Sequence, residues 1–88
     1  MKPRVQRVTH LAPGESGLIV QVSLDEGVDR RMGEEGVRRL LELGFVPGEQ
    51  VRVIRRGFPG GDPIAVRIGT STFALRRIEA SAIKITPL

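Results

Sequence analysis

The sequence has no cysteine, tryptophan or tyrosine, and its 88 residues include one histidine and three phenylalanines. Without cysteine, the chain can form neither a disulfide nor a thiolate metal site. With so few aromatic rings, it offers little for bases or polyproline peptides to stack on, which argues against a base-reading module and an ordinary peptide-binding SH3 domain. The apolar runs are only a few residues long, so we expect neither a signal peptide nor a membrane span, and we predict a cytoplasmic protein.

The sequence also lacks a recognisable catalytic constellation. His10 lies in a poorly anchored N-terminal segment, and no Gly-x-Ser-x-Gly elbow accompanies it. The glycine-rich residues 57–61 lack the Lys-Ser/Thr pair of a phosphate loop and lead into a predicted strand. We therefore predict that the protein is not an enzyme and needs no cofactor.

A metal site is not predicted either. The acidic residues between Asp25 and Asp29 lack the ligand spacing of a calcium loop, and the two arginines that follow compete for their carboxylates. A transition-metal site needs several converging ligands, and His10 has no partner at a suitable spacing. We expect weak binding of ferrous iron, and a tight site, were there one, would be sought at His10 and these carboxylates.

The chain carries 14 basic and 10 acidic residues, a formal net charge of +4. Such a surface attracts polyanions. The basic residues are nevertheless spread along the chain, and most adjacent pairs have acidic residues close by. A solvated surface is the favoured interpretation, ahead of a basic docking face for a protein and of nucleic-acid binding.

One apolar stripe predicts a helix over residues 34–43. Val37, Leu40, Leu41 and Gly44 recur at helical spacing, and Gly44 stands where a helix ends by entering the left-handed conformation. Pro47-Gly48 then suits the centre of a type II turn. The charged residues on the helix's outer side are Arg38, Arg39 and Glu42.

Strands are predicted around this helix from β-branched and alternating residues. In the first strand, Leu18, Val20, Val22 and Leu24 are expected to share one face. A single helical turn is expected within residues 77–82. The predicted strands are residues 18–24, 50–56, 64–68, 72–76 and 83–85.

This pattern predicts one domain that is mainly β with one α-helix, a small SH3-like barrel of about five strands. We place the domain at residues 8–88, after a loose tail at residues 1–7. A chain of this length buries ~60% of the surface that it would expose when unfolded, which is sufficient for a small core.

The helix stop and the turns after it resemble the FeoA family, the small cytosolic protein A of bacterial ferrous iron transport. The resemblance is clearest from Arg38 to Ile85. It implies the SH3-like barrel and, as partner, the large ferrous iron permease FeoB with its GTP-hydrolysing domain. The motif residues are Leu40, Leu41, Leu43, Gly44, Pro47, Gly48, Arg55, Pro59, Gly60, Gly61, Asp62, Pro63, Leu75 and Arg76.

Phe58 and Pro59 form an apolar loop tip flanked by Arg55 and Arg56, and Arg76 and Arg77 are expected to approach it. An apolar centre with an arginine rim has the composition of a protein docking site. The alternative is that Phe58 folds back over the open end of the barrel. A second candidate face is the outer side of the helix, with Arg38, Arg39 and Glu42.

Two other functions remain open. One is a stand-alone relative of the SH3-like domain of iron-dependent repressors, although the sequence shows neither a helix-turn-helix nor room for one. The other is a basic nucleic-acid-associated barrel, which the charge alone supports. Association into homo-oligomers is also open.

Overall fold

The computed structural model describes residues 5–25, 28, 30–58 and 60–88. The main helix, α1, spans Gly33–Leu43, and a four-residue helix, α2, spans Arg77–Ala80. Two short 3-10 turns cover Val8–His10 and Arg30–Met32. The strands are β1 (Gln6–Arg7), β2 (Ser16–Val22), β3 (Gln50–Arg56), β4 (Ile64–Ile68), β5 (Ser71–Leu75) and β6 (Ile83–Pro87).

The six strands form one antiparallel sheet in the order β1-β6-β2-β3-β4-β5. The mainly β class with one main helix is as predicted, but the strand count is six instead of about five. The extra strand is β1, in which Gln6 pairs with Ile85 and Arg7 with Lys84. Residues 6 and 7 therefore belong to the sheet and not to a loose tail, and residues 1–4 lie outside the described part of the chain.

The core is built mainly from strand residues, to which α1 adds Leu40. Phe45, the residue after the helix stop, is fully buried, and its ring centroid lies 5.3 Å from that of Phe73 on β5. Leu40 is the buried residue of α1, and Val37 packs against the core from the same side of the helix. The predicted stripe is therefore confirmed at Val37 and Leu40 and wrong at Leu41, which is 38% exposed.

The prediction for the faces of β2 is wrong. Gly17, Ile19 and Val22 are buried, whereas Leu18, Val20 and Leu24 are each more than one-third exposed. The pairing of β2 with β6 shifts register between Ile19 and Gln21. A bulge of this kind adds one residue to a strand and changes which side chains face the core. The buried side of β2 therefore follows its pairing with β6 and not simple alternation.

The end of α1 is as predicted. Gly44 has φ 111° and ends the helix in the left-handed region. The turn that follows is closed by the Glu49 N–H, which donates to the Val46 carbonyl at 3.1 Å, with Gly48 at φ 95°. The Gly48 N–H also donates to the Ile19 carbonyl at 2.8 Å. The turn thereby fixes the end of the helix against β2.

Candidate functional site

The loop between β3 and β4, residues 57–63, presents the Phe58 side chain to solvent. Phe58 is 97% exposed. The base of the loop is closed because the Gly57 N–H donates to the Pro63 carbonyl at 2.7 Å, and the Gly61 N–H donates to the Gly57 carbonyl at 2.9 Å. The alternative in which Phe58 folds back over the barrel is therefore wrong. Pro59 lies outside the described residues, so its predicted place at the tip stays a prediction.

Asp62 joins this loop to α2. Its Oδ1 accepts a hydrogen bond from the Arg77 N–H at 2.9 Å. At the same helix start, Glu79 Oε1 accepts the Arg76 N–H at 2.7 Å. Arg76 and Arg77, both exposed, therefore lie beside the loop, and the peptide bond between Asp62 and Pro63 is cis.

The two arginines at the end of β3 differ in role. Arg55 is exposed. Arg56 is partly buried, and its guanidinium donates to the carbonyls of Thr9 and Leu11, the latter at 2.6 Å. These bonds attach the end of β3 to the N-terminal 3-10 turn. The structure thus places Arg56 as a tether within the fold, which removes it from the freely accessible rim that the sequence suggested.

Arg39 and Arg76 line one cleft. In the sequence analysis, Arg39 is assigned to the outer side of the helix and Arg76 to the rim of the Phe58 loop, which are two separate candidate faces. The cleft has a volume of about 350 Å³. Within the described part of the chain, no carboxylate makes an ion pair with Arg39 or Arg76. We call this site the basic cleft. Its lining consists of Arg31, Met32, Gly36, Arg39, Ala74, Arg76, Ile78 and Glu79.

The other residues of the second candidate face lie apart from the basic cleft. Arg38 makes an ion pair with Glu35, one turn earlier on the same helix. Arg38 also borders a shallow apolar groove that includes Leu24 and Leu41. Glu42 is exposed and is not among the residues that line the basic cleft. The outer face of α1 is therefore divided between two surfaces.

The residues named for a possible metal site are engaged in contacts within the fold. His10 is exposed, and its Nδ1 accepts the Arg7 N–H at 3.1 Å. Asp25 makes ion pairs with Lys84 and with Arg7. The remaining acidic residues of that segment, Glu26 and Asp29, lie outside the described residues. The described residues of the chain contain no group of three or more histidine and acidic side chains arranged to hold a metal ion.

No helix in the described ranges has the length and apolar character needed to cross a membrane. The longest one, α1, has eleven residues.

Comparison with known proteins gives the family. The model of the FeoA domain matches residues 6–87 of this chain. The FeoA of Stenotrophomonas maltophilia, solved in complex with zinc and described as a prokaryotic SH3 domain protein, is 36% identical with a TM-score of 0.70, and the match covers 89% of this chain and 86% of that one. A search of curated proteins found no match.

Two further solved structures are similar. Iron(II) transport protein A of Clostridium thermocellum is 30% identical with a TM-score of 0.76, over 94% of this chain and 46% of that one. A manganese-dependent transcriptional repressor is 25% identical with a TM-score of 0.73, over the whole of this chain and 44% of that one. Because the family match spans nearly the whole sequence, this chain, with its SH3-like fold, belongs to the FeoA domain family.

Proposed function

We propose that this protein is an accessory protein of ferrous iron uptake and that it acts by binding the cytosolic part of a large permease with a GTP-hydrolysing domain, of the FeoB type. Membership of the FeoA family supports the link to ferrous iron. The Stenotrophomonas maltophilia relative has itself been suggested as an activating factor of bacterial ferrous iron transport.

The observation that carries the binding role is the exposure of Phe58. A phenylalanine that is 97% exposed on a closed loop has apolar surface with nothing to cover it. Burying such a side chain in a partner's pocket contributes about 1.5–3 kcal/mol. Exposed Arg55 on β3 and Arg76 and Arg77 at the start of α2 supply the polar rim.

A small domain without chemistry of its own affects a transporter by binding one of the transporter's states more tightly than another. The proposed role is therefore regulatory or stabilising. The domain needs no cofactor for it.

The test is a pull-down of the cognate permease by the tagged protein. It is done once with the isolated cytosolic domain and once with the detergent-solubilised whole permease, at physiological salt. We expect capture of both, and a weaker yield with Phe58→Ala. Failure of the wild-type protein to capture either form would reject the proposed function.

A second candidate is a regulator related to the repressors of metal uptake. It is favoured by the alignment of the whole chain with part of a manganese-dependent transcriptional repressor. The discriminating observation is the genomic neighbourhood, because an adjacent gene for a large GTPase permease supports the transport role. A neighbouring metal-uptake operator without such a permease gene supports the regulator.

A further inference from the structure

The basic cleft combines positive charge from three separate elements. Arg31 comes from the 3-10 turn before α1, Arg39 from α1, and Arg76 from the link between β5 and α2. Among the described lining residues Glu79 is the one carboxylate, and its Oε1 is engaged by the Arg76 N–H. Arg39 and Arg76 thus bring two positive charges to one cleft without an ion pair to a described carboxylate, and like charges repel one another unless an anion lies between them.

Guanidinium groups bind one class of anion with particular geometric fit. The planar fork of arginine donates two parallel hydrogen bonds to a carboxylate or a phosphate, and such charge-assisted bonds are about twice as strong as neutral ones. Arg39 and Arg76 make no ion pair with the described carboxylates. Both are therefore available to an external oxyanion.

The uncharged part of the lining indicates which oxyanion fits best. Four of the eight described lining residues are uncharged: Met32, Gly36, Ala74 and Ile78. Gly36 allows the close approach of Met32, because a Cβ at that position would lie 2.9 Å from the Met32 Sδ. A volume of about 350 Å³ is at the small end for ligand pockets. An aspartate or glutamate side chain matches this lining, since its methylene groups can contact the uncharged residues while its carboxylate reaches the arginines.

The basic cleft and the loop of residues 57–63 that carries Phe58 both adjoin the start of α2. Arg76 lines the cleft, and the backbone N–H of the next residue, Arg77, donates to the Asp62 carboxylate of the loop. A partner that contacts both sites would span this junction.

We propose that the basic cleft binds a carboxylate side chain of a protein partner, through Arg39 and Arg76. The identity of the partner rests on the proposed function: the contact surface of the permease's cytosolic domain then carries an aspartate or glutamate beside the apolar pocket for Phe58. The carboxylate site itself does not depend on that identity.

The first experiment uses the protein alone. NMR spectra of the arginine Nε–Hε groups are followed while a short capped peptide with one central glutamate is added, and the titration is repeated with the glutamine version. We expect saturable shifts at Arg39 and Arg76 with the glutamate peptide only. In Arg39→Gln the shift at the Arg76 Nε–Hε should weaken, and in Arg76→Gln the shift at the Arg39 Nε–Hε should weaken, because one carboxylate bridges the two side chains. Shifts that are equal for the two peptides, or that map to other arginines, would overturn the proposal.

A matched control is available on the sheet. Arg52 and Arg67 are exposed and lie directly opposite each other on β3 and β4. The Arg52→Gln/Arg67→Gln variant removes the same charge from outside the basic cleft and should retain the shifts at Arg39 and Arg76. Loss of those shifts in this control would show that the peptide responds only to the overall charge.

The second experiment titrates the permease's cytosolic domain. Arg39→Glu/Arg76→Glu should raise Kd about 10-fold or more and flatten its salt dependence, whereas Arg52→Glu/Arg67→Glu should change Kd much less. Melting temperatures verify that both variants fold. Equal effects of the two double variants would reject the cleft as a contact while leaving the proposed function in place. If the wild-type protein does not bind the permease, the proposed function fails, and the peptide titration alone decides the carboxylate site.

Discussion

Gly57 is required by a close approach of two backbone segments. A Cβ at this position would lie 2.6 Å from the Asp62 carbonyl oxygen and 2.8 Å from that of Pro63. Backbone atoms cannot yield as a flexible side chain can, so the loop base must open if the glycine is replaced. Only glycine, which has no Cβ, therefore fits at position 57 of the loop that presents Phe58.

We predict that Gly57→Ala lowers the free energy of unfolding by about 2 kcal/mol, in the range of overpacking substitutions. Urea denaturation measures this change. Unaltered stability would mean that the base of the loop can spread without loss of the Gly57 to Pro63 hydrogen bond.

Gly44 has a different requirement, which is its positive φ of 111°. Nothing outside its chain neighbours lies within 4 Å of a Cβ built there, so the cost of replacement comes from the backbone conformation and not from packing. Gly44→Val should destabilise the fold by about 2 kcal/mol, because a β-branched residue is strained at positive φ.

Asparagine is the matched control for Gly44, since it tolerates the left-handed region better than valine. Thermal melts should rank the wild-type protein above Gly44→Asn and Gly44→Val lowest. A valine variant as stable as the asparagine variant would contradict this explanation.

Sequence reasoning succeeded for residues whose role is local. The positive φ of Gly44 follows from its place at the end of the apolar helix stripe, and that of Gly48 follows from Pro47 before it. Sequence reasoning did not succeed where distant segments meet: Arg56 looks like a rim residue until the carbonyls of Thr9 and Leu11 are brought to it. Nothing near Arg56 in the sequence reports those contacts.

At the scale of elements, β3 and β4 have the predicted bounds, α1 begins one residue earlier, and β5 is shifted by one residue. β2 is where prediction failed, because Leu18, Val20, Val22 and Leu24 alternate with Gln21 and Ser23 in the sequence, yet the fold buries Ile19 on the opposite side. The bulge between Ile19 and Gln21 decides which side chains face the core. That bulge depends on β6, more than sixty residues away in the sequence.

The link between the β3–β4 loop and α2 gives a test at this scale. Asp62→Ala removes the acceptor of the Arg77 N–H and should lower stability by about 1 kcal/mol, the usual contribution of one hydrogen bond. Asp62→Asn keeps an oxygen at Oδ1 and should lose less. Hydrogen exchange at the Arg77 amide should become faster in the alanine variant, and an unchanged exchange rate would show that the bond does not hold the loop to α2.

For the whole molecule, the sequence predicted the class, the main helix and five of the six strands. It missed β1 because two residues are too few to show an alternating pattern, and they gain their place only by pairing with β6. Likewise, Arg39 and Arg76 are far apart in the sequence, and only the packing of α2 near α1 places them in one cleft.

We predict that the protein as a whole binds ferrous iron weakly. His10 and Asp25, the first residues to consider, are engaged by the Arg7 N–H and by Arg7 and Lys84 side chains. Anaerobic calorimetry with Fe(II) should give a dissociation constant above the micromolar range, since few ligands converge. A stoichiometric submicromolar site would contradict this prediction, and His10→Ala and Asp25→Ala would then locate it.

The most direct measurement is calorimetric titration of the permease's cytosolic domain with the wild-type protein, Phe58→Ala and Leu88→Ala. Leu88 is the control because it is a second highly exposed apolar residue, at the chain's C-terminal end and outside the Phe58 loop. We predict that Phe58→Ala raises Kd roughly 30-fold, equivalent to about 2 kcal/mol, while its melting temperature stays at the wild-type value. Leu88→Ala should bind like the wild-type protein. Equal affinity of Phe58→Ala and wild type would mean that the partner docks elsewhere, with the outer side of α1 at Arg38, Arg39 and Glu42 as the next surface to test.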